Sequence, residues 1–127
     1  MFNTLLVDHN VCYRQTLSDV LLLQFPLIGV DEACSGREAL SKVEYLRPNL
    51  IFMDISLPEE NGLEVTKEIK RVYNDIVIVI LTSNDQPEYR QQAFRNGVDY
   101  FLSKQDDFCL EKILARVDVT LARKSRD

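Results

Sequence analysis

The 127-residue sequence predicts an α/β fold: a five-stranded parallel sheet in 2-1-3-4-5 order, flanked by five helices as a three-layer sandwich. Three observations carry this. Five short apolar runs of strand type recur about every 20 to 26 residues. Two of them, Leu50-Ile51-Phe52-Met53 and Ile76-Val77-Ile78-Val79-Ile80-Leu81, are apolar at every position instead of alternating, as strands covered on both faces must be. The segments between runs carry helical period and helix punctuation, and alternating β and α elements joined by right-handed crossovers place helices on both faces of one sheet.

Taken in order, the first run is Thr4–Val7 and the second Gly29–Ala33. Ser35 and Glu38 then form an S-x-x-E capping box ahead of Ala39, Leu40, Val43 and Leu46, with Pro48 soon after that helix. Leu50–Met53 is the third run and Ile76–Leu81 the fourth. Pro87 suits the first turn of the next helix and Gly97 its stop, after Ala93 and Phe94. The fifth run is Tyr100–Leu102, and the last helix, capped by Asp106 or Asp107, places Leu110, Ile113, Leu114, Val117 and Leu121 on one face.

Length and charge narrow the function. A chain of 127 residues is expected to be one domain, residues 1–127, with no room for a second. Size scaling lets it bury roughly two-thirds of its extended surface, enough for a core without staples. Fifteen Lys and Arg against twenty Asp and Glu give a net charge of -5, the wrong sign for gripping a phosphate backbone, so direct nucleic-acid binding is disfavoured. The start Met1-Phe2-Asn3-Thr4 has neither the basic opening nor the apolar stretch of an export signal, which points to the cytoplasm. Cys12, Cys34 and Cys109 show no C-x-x-C or metal-ligand spacing and read as reduced thiols.

In an open parallel sheet, ligands bind beyond the carboxyl ends of the strands, where strand order reverses. The first strand ends in Asp8-His9-Asn10, the third in Asp54, the fourth in Thr82-Ser83 and the fifth in Ser103-Lys104. Each alone is more often a turn former or a solvated group. Two acids, a hydroxyl and an ammonium at four strand ends, with Leu57-Pro58 and Gly62 shaping the loop after Asp54, make chance placement a poor explanation. Such a cluster suits phosphoryl transfer onto a carboxylate, which needs cationic clamps beside the incoming dianion. Asp54 would be nucleophile and metal ligand, Asp8 the acidic wall, Lys104 the phosphoryl counter-ion and Thr82 a hydroxyl bonding the new oxygens. A flavodoxin-like cofactor binder or small enzyme would need a phosphate-cradling loop after the first strand, where Asp8-His9-Asn10-Val11-Cys12 instead presents an acid.

Leu5-Leu6-Val7-Asp8, Phe52-Met53-Asp54-Ile55-Ser56-Leu57-Pro58 with Gly62-Leu63-Glu64, Ile80-Leu81-Thr82-Ser83 and Gly97-Val98-Asp99-Tyr100-Phe101-Leu102-Ser103-Lys104 resemble the receiver domain of bacterial two-component response regulators, over nearly the whole chain. The resemblance implies a flavodoxin-like fold and a phosphoprotein switch, not a dedicated enzyme. Asp54 matches the aspartate that accepts a phosphoryl group from a histidine kinase, a phosphotransfer protein or small phosphodonors. Asp8 matches an Mg2+ ligand, and Ser56 the position whose backbone carbonyl serves the metal. Thr82 matches the switch hydroxyl, Lys104 the family lysine, and Phe101 the aromatic whose rotamer follows phosphorylation. The face of the fourth helix, fifth strand and fifth helix is the implied surface for an effector or a homodimer. Any fused output domain would lie outside this chain, and neither direct nucleic-acid binding nor a membrane is implied.

Two positions depart from the family pattern. His9 stands where a second acid normally ligates Mg2+; imidazole matches Mg2+ poorly. His9 has three readings: ligand of a softer ion such as Mn2+ or Zn2+, protonated partner of the phosphoryl group, or a solvated side chain at the rim, the last favoured because a lone His makes a weak metal site. Asn10, Glu59 and Glu60 lie in loops at the same rim and read chiefly as solvated. Gln105 replaces the proline that commonly follows the lysine, which favours a trans bond there. The loss of an acid at position 9 motivates a second reading, a degenerate receiver that binds partners without phosphorylation.

Overall fold

A computed structural model describes residues 1–126, so of the expected domain only Asp127 lies outside the described residues. The chain alternates β1 (Asn3–Val7), α1 (Val11–Gln24), β2 (Gly29–Ala33), α2 (Gly36–Leu46), β3 (Leu50–Met53), α3 (Gly62–Val72), β4 (Val77–Thr82), α4 (Pro87–Arg95), β5 (Tyr100–Ser103) and α5 (Cys109–Arg126). All strands pair in parallel, in the order β2-β1-β3-β4-β5. The predicted fold class is the observed one.

Strand alternation splits the core in two. Leu5, Val7, Ile51, Met53, Ile78, Ile80 and Phe101 face α2, α3 and α4, meeting Ala39, Val43, Leu63, Ile69 and Ala93. Leu6, Leu50, Phe52, Val79 and Leu81 face the other way, onto Leu17 and Leu21 of α1 and Ile113 and Val117 of α5. Central strands therefore need apolar side chains at every position, which is why β3 and β4 read as unbroken runs. β2 lies at an edge and tolerates an exposed Asp31. Each fully buried Leu, Ile or Val contributes about 1.5–3 kcal/mol.

Capping sets the helix starts. Ser35 accepts from the Glu38 N–H at 3.1 Å, and the Glu38 carboxylate reaches back to the Cys34 N–H at 2.6 Å, one residue earlier than in an ideal capping box. Pro87 opens α4, and Gly97 follows its end at φ +94°, a conformation that favours glycine. The α5 cap differs from expectation. Asp106 Oδ1 accepts from the Phe108 N–H at 2.8 Å in a turn, and the helix begins only at Cys109. Leu110, expected on the buried face, is 43% exposed because this first turn borders an open groove of about 250 Å³ between α1 and α5. Ile76, expected as the first residue of the fourth strand, closes the turn after α3 by donating its N–H to the Tyr73 carbonyl. All described peptide bonds are trans, including the one preceding Gln105.

Candidate functional site

The carboxyl ends of β1, β3, β4 and β5 meet at one rim. β1 and β3 are neighbours, with Val7 opposite Met53, so the residues that follow them, Asp8 and Asp54, emerge side by side. Both are buried, at 6% and 7% exposure. Lys104, just past β5, lays its ammonium across the pair, 2.6 Å from Asp8 Oδ2 and 3.3 Å from Asp54 Oδ2. Two carboxylates thus share one cation in a partly dry setting, where charge-assisted bonds are strong.

The remaining carboxylate oxygens are tied to backbone. Asp8 Oδ1 accepts from the Asn10 N–H at 2.8 Å, and Asp54 Oδ1 accepts from the Ser56 N–H at 3.3 Å. Gly62 fixes the loop after Asp54 from behind: a Cβ there would stand 1.9 Å from the Asp54 carbonyl oxygen, so only glycine permits this approach. Asn61 caps α3 by accepting from the Leu63 N–H at 2.7 Å.

Thr82 ends β4 fully buried, in register with Ser103, and its Oγ1 accepts from the Asn84 N–H at 3.1 Å. The Asn84 amide donates in turn to the Ser56 hydroxyl, joining the loops after β4 and β3 across the rim. Ser103 donates to Asp85 Oδ2 at 2.7 Å, which ties the same loop to the end of β5. Phe101 is turned inward, 6% exposed, with the Arg90 guanidinium 4.7 Å from its ring centre.

His9 is exposed. Asn10 caps α1 by accepting from the Tyr13 N–H at 3.0 Å, and the Glu60 carboxylate accepts from the Gly36 N–H at 3.0 Å, capping α2. Asn10 and Glu60 are therefore turned to helix ends. Among the described residues no three His, Cys, Asp or Glu side chains form a metal-holding group. The hard oxygen set of Asp8, Asp54 and the Ser56 carbonyl nevertheless has the chemistry Mg2+ takes, and the two carboxylates already converge on one cation.

Two residues of α1 join the rim that the sequence reading did not single out. Arg14 donates from Nη1 to the Asp8 carbonyl at 2.6 Å while its Nε pairs with Glu32 at 2.8 Å. Tyr13 faces Lys104 with its ring, 4.2 Å from Nζ to the ring centre. Burial, then the charges of Cys109, Asp8 and Asp54, push the Tyr13 phenol well above its ordinary pKa, so it stays neutral. The available signal was Asn10: as a helix cap it places position 13 in the first turn beside Asp8.

A doubly wound parallel sheet with an acidic rim crossed by a lysine at the carboxyl ends of its strands is the arrangement of a receiver-type signalling module. The chain belongs to the response regulator receiver domain family, whose model matches residues 4–118. It is 33% identical over 123 residues to the response regulator MprA of Mycolicibacterium vanbaalenii, covering 97% of this chain and 52% of that protein. It is 35% identical over 100 residues to the response regulator protein VraR of Staphylococcus epidermidis, covering 79% and 48%. The chain spans about half the length of these curated relatives. A receiver domain from Methanospirillum hungatei, described as CheY-like, shares the fold with a TM-score of 0.87 at 21% identity, over 99% of this chain and 98% of that one. Receiver domains typically use Mg2+. No described helix is long and apolar enough to cross a membrane.

Proposed function

We propose that this chain is a phospho-accepting receiver of a two-component phosphorelay, occupying residues 1–127 as a single domain and working in the cytoplasm. The observation that carries the reading is the Lys104 ammonium shared by the buried carboxylates of Asp8 and Asp54. An Asp54 oxygen attacks the phosphorus of a histidine kinase or phosphotransfer-protein phosphohistidine; the P–O bond forms as the P–N bond breaks, and the departing imidazole nitrogen takes a proton. Lys104 neutralises phosphoryl oxygens as charge accumulates. Asp8, Asp54 and the Ser56 carbonyl would hold Mg2+, or Mn2+, which supplies further positive charge to the transferring group.

The product carries close to two negative charges on the phosphoryl group at Asp54, in place of the single charge of the carboxylate. Thr82 then donates its hydroxyl to the new oxygens, which draws the loop after β4 inward and shifts Phe101 and the α4–β5–α5 face toward the active form. That face engages an effector protein, an output domain outside this chain or a second copy of the chain. The net charge of -5 argues against direct nucleic-acid binding by this domain.

A second reading has its own observation. His9 is exposed and, among the described residues, no third His, Cys, Asp or Glu joins Asp8 and Asp54 in a metal-holding group, which favours an interaction module that works without phosphorylation. Incubation with acetyl phosphate or beryllofluoride and Mg2+ separates the two. The phospho-accepting reading expects an adduct that Asp54→Asn abolishes, and the absence of any adduct with Mg2+ or Mn2+ supports the alternative.

A further inference from the structure

We propose that Tyr13 is a positioning residue for Lys104, its ring face holding the ammonium at the corner shared by Asp8 and Asp54; for its catalytic consequence this rests on the phospho-accepting reading. The contacts close a circuit. Asp8 Oδ1 accepts from the Asn10 N–H, Asn10 Oδ1 accepts from the Tyr13 N–H, the Tyr13 ring faces Lys104 Nζ, and Nζ returns to Asp8 Oδ2. Four residues from β1, α1 and β5 ends thus fix one another.

Lys104 approaches along a flexible four-carbon stem and carries three equivalent donors, so two carboxylates alone leave its height above the rim free. The ring face attracts a cation from a third direction. Tyr13 is itself held, half-buried against the core between α1 and α5. Its neutral phenol leaves no phenolate to draw the lysine away from the carboxylates.

The test uses the 127-residue chain with Tyr13→Phe, Tyr13→Leu and Tyr13→Met. In the unsubstituted protein the Lys104 Cε protons should be shifted upfield by the ring in NMR spectra; Tyr13→Phe should keep that shift and Tyr13→Leu and Tyr13→Met should lose it. Acetyl phosphate labelling should slow roughly threefold to thirtyfold in the Leu and Met variants and recover to within twofold in Phe. Urea unfolding of each variant identifies any that fails to fold, and the NMR shift of the unsubstituted protein needs no variant. Unshifted Lys104 methylene protons, or folded Leu and Met variants that label at the original rate, overturn the proposal. A protein that never labels but keeps the ring-dependent shift refutes the phospho-accepting reading while sustaining the Tyr13 contact.

Discussion

Replacing Lys104 by Met removes the cation between two buried carboxylates and keeps an unbranched apolar side chain of similar length. At separations of 2.6 and 3.3 Å, with an effective dielectric constant near 20, the two attractions amount to about 6 and 5 kcal/mol before any desolvation is charged against them. Taking one partner from a buried pair costs about 3–5 kcal/mol, because the survivor is left uncompensated. Here the side chains are 15%, 8% and 10% exposed, so rim water recovers part of that, and the expected loss is about 2–4 kcal/mol. With an unfolding entropy of about 2.1 cal/mol/K per residue, the melting temperature should fall by about 8–15 °C. Urea and thermal unfolding of Lys104→Met measure this directly. A second substitution, Asp8→Asn, should restore most of the stability, since it removes one of the repelling charges while its side-chain oxygen still accepts from the Asn10 N–H. A Lys104→Met protein within about 1 kcal/mol of the original, or a double variant no more stable than Lys104→Met, refutes this electrostatic account.

Gly62→Ala should destabilise by about 1–3 kcal/mol or more in urea unfolding and slow Asp54 labelling, because the new Cβ must push the Asp54 carbonyl from 1.9 Å. His9→Asp should strengthen Mg2+ binding in calorimetric titration by supplying an additional hard oxygen ligand; no gain would mean that position 9 does not face the cation. Burial, then the Asp106 charge, raises the Cys109 thiol above its ordinary pKa, so less of it is thiolate at pH 8. With Cys12 and Cys34 exposed and Cys109 buried, alkylation followed by peptide mass spectrometry should modify the first two well before the third.

The fold was legible because parallel strands covered on both faces leave a strong sequence signal. Leu50–Met53 was read with its observed limits, and Pro87 and Gly97 bracketed α4 as their backbone preferences require. Boundaries moved where side chains compete with the backbone. Asp106 holds a turn that delays α5, and Ile76 is buried yet closes the α3 turn instead of opening β4. Convergence of Asp8, Asp54 and Lys104 could be anticipated from the parallel sheet, since the carboxyl ends of all its strands lie on one edge and β1 and β3 are neighbours. For Tyr13 and Arg14 the Asn10 cap marks only the first turn of α1, not the partners. Their contacts depend on how α1 is rotated over β1, and α1 has apolar residues on several sides, with Leu23 at 84% and Leu22 at 39% exposure, so its sequence does not mark a single inward face. Glu60 is a similar case: its carboxylate bonds across to the start of α2, 24 residues earlier, a pairing that only the packed helices bring together.

Intact-protein mass spectrometry after incubation with acetyl phosphate and Mg2+ tests the phospho-accepting role most directly. The expected result is a gain of one phosphoryl group, mapped to Asp54, lost on mild alkaline treatment and absent in Asp54→Asn. An unchanged mass with both Mg2+ and Mn2+, or a gain that persists in Asp54→Asn, would contradict it.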